Sequence, residues 1–258
     1  MCHRYLVTSV YEEAYGYEIA FSYRDVPDEV DSLMRLAGTT PKSVLEICSG
    51  PADHAIECAR RGLSATALDL SESMCKRAAE NATTAGVALD VIHGDMLDFQ
   101  LPYQVDLAFC MISSISHVLS LDAMLSHLAA VKAALTPGGV YVIEGSHPTE
   151  YLGGKATQSE WDTERDGISV HLIWGTDDNI IDPVTQVTQI DVTIAMTHPD
   201  GSVTTVTSKE DDRFWTATEM VAAARLAGLT VVGQYGDFDG RGLSDEDAWR
   251  MITVLRND

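Results

Sequence analysis

The chain has 258 residues, 45% of them hydrophobic, which suits one α/β domain with or without an insertion. Its 39 acidic and 17 basic residues give a formal net charge of −22. Because such an acidic surface repels phosphate backbones, we expect no nucleic acid among its partners. The chain has no apolar run of about 18 residues and no secretory leader at its start, so we expect a cytoplasmic protein with no membrane partner.

The first part of the chain predicts a lid segment and most of a parallel sheet. Residues 1–42 are helical in parts and precede the first strand, so we expect them to fold over a site. Short apolar runs then alternate with helical patterns. Strands are predicted over 43–48, 64–69, 89–92, 105–110 and 140–144, and helices over 51–61, from Ser71 onward and over 121–135. Repeated β-α-β order indicates a parallel sheet with helices on both faces.

The second part of the chain changes pattern. Residues 168–209 alternate apolar and polar positions around a turn at 198–202, as antiparallel strands do. A helix over 218–227 and strands over 230–235 and 250–255 follow. The predicted fold is α/β, a Rossmann-like, doubly wound, seven-stranded, mostly parallel sheet with an antiparallel β meander inserted after the fifth strand. We expect the core to cover 43–147 and 211–258, and the meander to cover 148–210 on the substrate side.

The carboxyl ends of the predicted strands carry polar and glycine residues, and in open α/β sheets ligands bind beyond those ends. Glu46 precedes a turn that contains Gly50, and Asp69 ends the second strand nineteen positions after that glycine. Gly94 and Asp95 follow the third strand. A glycine allows close backbone approach to a ligand, and two carboxylate oxygens match a vicinal diol.

This arrangement resembles the class I S-adenosylmethionine-dependent methyltransferases. The resemblance implies that Gly50 approaches the methionyl end of the cofactor, that Asp69 takes both ribose hydroxyls, and that Asp95 with Met96 frames the adenine. The outer two glycines of the usual motif are replaced here by Cys48 and Ala52. The full set of residues expected at the cofactor is Tyr15, Arg24, Glu46, Ser49, Gly50, Asp69, Leu70, Met74, Gly94, Asp95, Met96, Cys110 and Met111.

A nicotinamide enzyme is the main rival on the same residues, because an acidic residue about twenty positions after a glycine-rich turn is also its signature. That signature needs G-x-G-x-x-G, whereas the turn here offers only Gly50. The meander and the Gly94-Asp95 element would also have no role in such an enzyme, so we favour the methyltransferase.

Three segments also resemble small-molecule N-methyltransferases, including sugar N,N-dimethyltransferases and glycine/sarcosine-type enzymes. They are the paired tyrosines of 11–15, the strand-four element 110–117, which ends in His117, and Arg241 near the last strand. The resemblance implies a small-molecule acceptor, and we expect the methyl group to go to an amine nitrogen. Substrate contacts are expected from Arg241 and from His147, just past the fifth strand.

His117 and Tyr15 are the candidate catalytic residues. His117 follows a serine-rich loop at a strand's carboxyl end, where an imidazole could accept the proton that an amine or hydroxyl loses. Tyr15 could lie beside the positive sulfur, because aromatic rings attract cations. A structural role for His117, and an ordinary helix-face role for Tyr15, remain open.

Other functions remain open as well. The same motifs would serve intramolecular cyclisation of S-adenosylmethionine with release of methylthioadenosine, an O-methyltransferase, or a non-catalytic binding module. The five cysteines lack zinc-type spacing and are expected to be buried thiols, so no metal is predicted. The meander could pair its edges between subunits, so a homodimer is possible.

Overall fold

A computed structural model of the protein describes residues 3–7, 9–151, 158–176 and 178–258. Its strands, in chain order, are β1 (His3–Val7), β2 (Ser43–Ile47), β3 (Ser64–Asp69), β4 (Asp90–His93), β5 (Val105–Cys110), β6 (Leu135–Ser146), β7 (Ser159–Arg165), β8 (Ile168–Trp174), β9 (Val187–Thr197), β10 (Val203–Arg213), β11 (Thr230–Tyr235) and β12 (Arg250–Arg256). Its α-helices are α1 (Ala14–Ala20), α2 (Val26–Ala37), α3 (Asp53–Arg60), α4 (Glu72–Ala85), α5 (Leu121–Ala134) and α6 (Ala217–Leu226).

The main sheet has seven strands in the order β11-β12-β6-β5-β2-β3-β4. Only β12 runs against its neighbours, which confirms the predicted doubly wound, mostly parallel α/β fold. The chain leaves β2 toward β3 and β4, and later returns on the other side of β2 as β5. The crevice beyond the carboxyl ends of β2 and β5 is therefore the switch point at which such sheets bind ligands.

Local sequence explains where the helices begin and end. The hydroxyl of Ser71 accepts a hydrogen bond from the Met74 amide at the start of α4, and Gly86 closes that helix in the left-handed conformation. At α6, Thr216 and Glu219 form a reciprocal capping box. These caps place each helix start directly after a strand's carboxyl end.

A second sheet, with the strand order β1-β10-β9-β8-β7, follows β6 in the chain. Strands β7 to β10 are antiparallel to one another, which confirms the predicted meander, whereas β1 pairs with β10 in parallel. Sequence analysis did not predict β7, whose residues are mostly exposed and largely polar, or β1, which pairs with the distant β10. Strand β10 continues to Arg213, beyond the predicted end of the meander at residue 210.

The residues that precede the first strand of the main sheet pack on the second sheet. Ile19 and Ala20 of α1 are fully buried in one apolar cluster with Leu172 and Ile194 of that sheet. Complete burial of a side chain such as Ile19 stabilises this contact by about 1.5–3 kcal/mol. The contact holds the N-terminal segment across the carboxyl ends of the main sheet. Among the described residues, no helix is both long and apolar enough to span a bilayer.

Candidate active site

A cavity of about 450 Å³ lies at the carboxyl ends of β2, β3 and β4. We call it the first cavity. The main sheet supplies its floor, while the N-terminal segment and the end of β10 cover it. Its lining comprises Ser9, Tyr11, Glu12, Tyr17, Cys48, Gly50, Leu68, Asp69, Leu70, Ser71, Met74, Gly94, Asp95, Met96, Ser114, His117, Glu210 and Asp211.

The turn after β2 keeps a glycine-type backbone although only one of its residues is glycine. Cys48, Gly50 and Ala52 all have positive φ angles, of 54°, 51° and 64°. This left-handed conformation costs a residue with a Cβ roughly 1–2 kcal/mol, which explains why glycine is usual at the outer positions. A Cβ on Gly50 would lie 3.9 Å from Met74 and from Tyr17, two residues of the cavity wall. The missing side chain therefore leaves room for a ligand.

Asp69 stands at the centre of the first cavity, held by the backbone. One carboxylate oxygen accepts a hydrogen bond from the Gly50 amide at 2.7 Å, and the other accepts one from the Ser71 amide at 2.8 Å. Burial raises the pKa of this carboxyl, and the two amides oppose that effect. Each oxygen retains a lone pair for a further donor, so the carboxylate can receive two hydroxyl groups.

The far end of the first cavity is formed after β4 by Gly94, Asp95 and Met96. Asp95 accepts a hydrogen bond from the Leu97 amide and is an exposed residue of the cavity lining. The Met96 carbonyl is bound to Nδ1 of His127, whose Nε2 in turn contacts the Tyr141 hydroxyl at 2.8 Å. Burial lowers the pKa of His127 to about 4, so this imidazole is neutral and serves as a fixed support for the loop.

A pocket of about 40 Å³ borders the first cavity at Tyr17, Cys48, Gly50 and Ser114. This pocket is lined by Glu46, Ser49 and Met111, three of the residues that the sequence predicts at the cofactor. The Ser49 hydroxyl is buried and has no hydrogen-bond partner among the described residues. An unpaired buried hydroxyl is costly, so this pocket is suited to a polar ligand group.

Glu46 and Arg24 belong to a buried ion-pair network beneath that pocket. Glu46 accepts from the Ala55 amide and contacts His54, whose other ring nitrogen lies 2.7 Å from Glu29. Arg24 pairs with Glu29 at 2.8 Å and with Glu144 at 2.9 Å. Burial opposes the charge on Arg24, but Glu144 and Glu29 outweigh burial and raise its pKa. The Arg24 guanidinium is thus already engaged by two carboxylates.

A second cavity of about 250 Å³ lies between the N-terminal segment, the loop after β5 and the second sheet. It shares Tyr11, Tyr17, Ser114 and His117 with the first cavity, so the two spaces meet at these side chains. The rest of its lining is mostly aromatic and hydroxyl-bearing. These residues are Phe21, Tyr23, Arg24, Ile112, Ser113, Ser116, Glu144, Ser146, Glu150, Ser159, Trp161, Trp174, Ile190, Asp212, Phe214 and Trp249.

Three side chains from distant segments, those of Tyr11, His117 and Asp212, meet at the junction. The Tyr11 hydroxyl lies 2.8 Å from Nε2 of His117, and Nδ1 of His117 lies 3.3 Å from a carboxylate oxygen of Asp212. Ser116 donates to the same Asp212 oxygen at 3.0 Å. Enclosure of the phenol raises the pKa of Tyr11 well above its usual value, and burial raises the pKa of Asp212. Tyr11 is therefore a neutral donor to the imidazole.

The loop that carries His117 has an unusual backbone. Ile112 and Ser113, directly after β5, have positive φ angles of 55° and 54°. For a β-branched residue such as Ile112 this is a genuine outlier, and such strain is concentrated at functional sites. The Ile112 amide donates to Glu144 at 2.8 Å, which holds the loop against the end of β6.

The structure brings most of the predicted cofactor residues to one place and leaves four predicted site residues elsewhere: Tyr15, Cys110, His147 and Arg241. Tyr15 bonds to Asp166, and its ring lies under Arg77, outside both cavities. Arg241 pairs with Asp239 in a surface loop. His147 is buried against the carbonyl of Leu243 and the hydroxyl of Thr149.

Three further predicted cofactor residues have distinct positions. Leu70 and Met74 line the first cavity, Leu70 with 66% of its surface exposed and Met74 fully buried. Cys110 is buried in the core cluster of the main sheet and lines neither cavity.

Sequence analysis missed two residues that the structure places at the site. Tyr17 lines both cavities, and Asp212 contacts His117. The paired tyrosines of 11–15 indicated that the N-terminal segment borders the site, but they did not indicate that the Tyr17 ring lines the cavities. For Asp212, no local signal exists, because its partner is 95 positions away in the chain.

These features fit the sulfonium cofactor that the sequence resemblance implies. A diol would meet the Asp69 carboxylate, a planar base would lie beside Met96, and an amino-acid end would reach the unpaired Ser49 hydroxyl near Gly50. Carboxylates and aromatic faces around the same space suit a positive sulfur. Among the described residues, no cluster of histidine, cysteine, aspartate or glutamate has a geometry that could hold a metal ion.

Comparisons with known proteins agree with this geometry. Residues 44–139 match the family model described as a methyltransferase domain. No curated protein matches the chain in sequence. Among solved structures, an S-adenosylmethionine-dependent methyltransferase from Clostridium acetobutylicum is similar over 96% of this chain and 99% of its own, with 12% identity and a TM-score of 0.77.

Two further solved structures are similar over most of their length. DesVI from Streptomyces venezuelae is 22% identical over 95% of this chain and 94% of its own, with a TM-score of 0.71. An amino pentose methyltransferase from Micromonospora echinaspora, involved in calicheamicin biosynthesis, is 20% identical over the full length of both chains, with a TM-score of 0.69. Residues 44–139 therefore match a methyltransferase domain, and the chain as a whole has the fold of S-adenosylmethionine-dependent methyltransferases.

Proposed function

We propose that this enzyme transfers a methyl group from S-adenosyl-L-methionine to the amine nitrogen of a small molecule. One observation carries the proposal: the first cavity and the second cavity meet at Tyr11 and His117, so a donor in one faces an acceptor in the other across a pair of proton-accepting side chains. Methyl transfer needs the nucleophile held in line with the methyl group and shielded from water.

In this proposal the first cavity holds the cofactor. Asp69 receives the ribose hydroxyls, Asp95 and Met96 border the adenine, and Ser49 with the Gly50 backbone receives the amino-acid end. Tyr17 lies beside Gly50 and lines the same cavity. When bound, the cofactor supplies an electrophilic methyl group on a positively charged sulfur.

The chain's own residues then handle the acceptor's proton. Nδ1 of His117 donates to the Asp211 carbonyl at 3.4 Å and lies 3.3 Å from the Asp212 carboxylate, which leaves Nε2 as an acceptor for the Tyr11 hydroxyl. An ammonium that reaches the junction can give its proton to the Tyr11 oxygen while the Tyr11 proton passes to His117. The resulting imidazolium is stabilised by the buried Asp212 carboxylate. General base assistance of this kind contributes about 10²–10⁴-fold.

Several features support a small acceptor over a macromolecular one. The second cavity is bounded by the lid segment and the second sheet, and the net charge of −22 opposes nucleic acid. Several similar structures are those of sugar or glycopeptide N-methyltransferases, among them the sugar enzyme from Streptoalloteichus. We extend to this chain only the reaction type that those proteins share.

The experiment is an incubation of the purified protein with S-adenosyl-L-methionine and a panel of small amines and alcohols, followed by mass spectrometry. We expect S-adenosylhomocysteine together with an amine that is heavier by one methyl group. Methylthioadenosine as the product would instead establish cyclisation of the cofactor. A methylated alcohol would establish O-methyl transfer, and binding of S-adenosylhomocysteine without any turnover would indicate a binding module.

A further inference from the structure

The second cavity carries information about the acceptor that the proposed reaction type leaves open. Aromatic rings dominate its walls. Phe21 packs edge-on against Trp161 at 5.4 Å between ring centroids, and Phe214 stacks on Tyr151 at 4.6 Å. The indole nitrogen of Trp161 donates to the Ala20 carbonyl, which fixes that ring in place. These walls are therefore preformed, and they favour a ligand with an apolar or ring-shaped body.

The charges of the second cavity favour a cation. Arg24 is the only Lys or Arg side chain among the described residues that line it, and Glu29 and Glu144 already pair with it. Asp212 and Glu150 add carboxylates to the same lining. Burial raises the pKa of Asp212, and a nearby ammonium would offset that burial cost. Aromatic faces attract an ammonium as well.

The same charges disfavour an anionic carrier. Phosphate recognition relies on Arg, Lys or free backbone amides at a helix N-terminus, and the described lining of the second cavity offers no unpaired Arg or Lys. The mouth of the cavity is bordered by Tyr23 and Trp249, with exposed fractions of 59% and 49%. An acceptor carried on a phosphate would therefore meet aromatic rings and carboxylates, within a protein of net charge −22.

The volume of the second cavity also favours a small acceptor. A volume of about 250 Å³ lies below the roughly 300–1,000 Å³ of pockets that hold drug-sized ligands. The second cavity is therefore suited to a compact ligand.

We propose that the acceptor is a compact ammonium on a neutral, ring-sized body, taken as the free molecule and not on a phosphate or nucleoside diphosphate carrier. This inference rests on the proposed amine methylation. During transfer the ammonium proton goes to Tyr11 as the Tyr11 proton goes to His117. The freed nitrogen lone pair forms the new N–C bond, and the C–S bond breaks with its electron pair remaining on sulfur.

The test uses three matched probes with the full chain loaded with S-adenosylhomocysteine. They are benzylamine, 4-methoxybenzylamine, which adds neutral bulk, and 4-(aminomethyl)phenyl phosphate, which adds bulk and charge. Calorimetry should show the two neutral-bodied amines binding at least tenfold more tightly than the phosphate. Equal or tighter binding of the phosphate, or no binding of either neutral-bodied amine, would overturn the inference.

Turnover of the same probes separates this inference from the proposed function. If the neutral-bodied amines bind with the expected preference but yield no methylated product with S-adenosyl-L-methionine, the proposed reaction fails while the account of the cavity stands. If the phosphate is methylated with the higher kcat/KM, the reaction stands and the account of the cavity fails.

Two variants test whether the aromatic walls of the second cavity cause the preference for neutral-bodied amines. Tyr23→Leu removes an exposed ring at the mouth, and Trp161→Leu removes a wall ring; each should weaken benzylamine binding several-fold and leave S-adenosylhomocysteine binding unchanged. Because Trp161 also bonds to the Ala20 carbonyl, Tyr23→Leu is the variant expected to fold normally. Tyr103→Leu, on an exposed ring beside β3, is the matched control. Unchanged benzylamine affinity in both wall variants would contradict the inference.

Discussion

The Tyr11 hydroxyl and Nε2 of His117 lie 2.8 Å apart although 106 positions separate them in the chain. Tyr11 belongs to the N-terminal segment and His117 to the loop after β5, so this contact joins the lid to the main sheet. The rings also meet edge-on, with centroids 5.5 Å apart. Both side chains line both cavities, so the proposed methyl transfer takes place beside this contact.

Removing either partner of this contact should slow methyl transfer more than it weakens cofactor binding. We expect His117→Gln and Tyr11→Phe each to lower kcat by about 10²-fold, the lower end of the range for general base assistance. S-adenosylhomocysteine affinity should change less than threefold. Single-turnover kinetics and calorimetry measure the two quantities, and His171→Gln, on an exposed ring of β8, is the control. A fall in affinity with unchanged kcat would assign these side chains to binding.

Asp212 is expected to act through His117. Asp212→Asn keeps the shape of the side chain but removes the charge that faces Nδ1 of His117. The imidazolium formed during the reaction then loses its partner, so kcat should fall by about tenfold or more. The acid limb of the pH–rate profile should also move to lower pH. Asp191→Asn, on a carboxylate that pairs with Lys209 at the surface, should leave both unchanged. A lower rate with an unmoved profile would indicate a structural role alone.

Cofactor affinity should depend on Asp69. In Asp69→Ala the two ribose hydroxyls lose a charged acceptor, worth about 2 kcal/mol, so the Kd for S-adenosylhomocysteine should rise about 30-fold. The Gly50 and Ser71 amides lose their acceptor as well, which adds to the effect. Calorimetry measures it against Asp122→Ala, an exposed carboxylate in the first turn of α5. Binding that is indifferent to Asp69→Ala would refute the assignment of the first cavity to the cofactor.

Stability at alkaline pH should depend on His54. Burial opposes protonation of this ring, but hydrogen bonds to Glu29 and Glu46 outweigh burial and raise its pKa to about 9, from an ordinary value of 6.5. A raised folded-state pKa means that the stabilisation is fully present below about pH 6.5 and is lost as the pH rises through 9. The loss is on the order of 3 kcal/mol.

Urea unfolding between pH 6 and 9.5 measures this dependence. The wild type should lose stability across the interval, whereas His54→Gln should be less stable at pH 6 and should show a flatter profile. His171→Gln, which changes an exposed histidine, should follow the wild type. Parallel profiles for wild type and His54→Gln would show that the charge on this ring does not hold the network together.

Local patterns sufficed for the main sheet and for the cofactor side of the site. The strands after which Gly50, Asp69 and Asp95 stand could be recognised from short apolar runs, and parallel strands bring their carboxyl ends to one edge. Even the departure at Cys48 and Ala52 was visible in the sequence, and the structure explains it, since both residues keep the left-handed backbone.

Side-chain direction was less predictable. Tyr15 and Tyr17 stand on one short helix, yet only Tyr17 lines the cavities, because packing of α1 against the second sheet sets which face turns inward. Arg24 was a reasonable partner for a cofactor carboxylate, but Glu29 and Glu144 already hold it. Neither outcome follows from helix periodicity, because both depend on elements that are distant in the chain.

The sequence by itself therefore determined the order of strands and helices and the acidic and glycine residues at the sheet's edge. These signals depend on neighbours within a few positions, through which apolar periodicity and backbone geometry act. Only the tertiary structure decided the junction of the two cavities, where Tyr11, His117 and Asp212 meet, and the pairing of β1 with β10. Contacts between such distant residues are selected by the packing of whole elements, which no local pattern encodes.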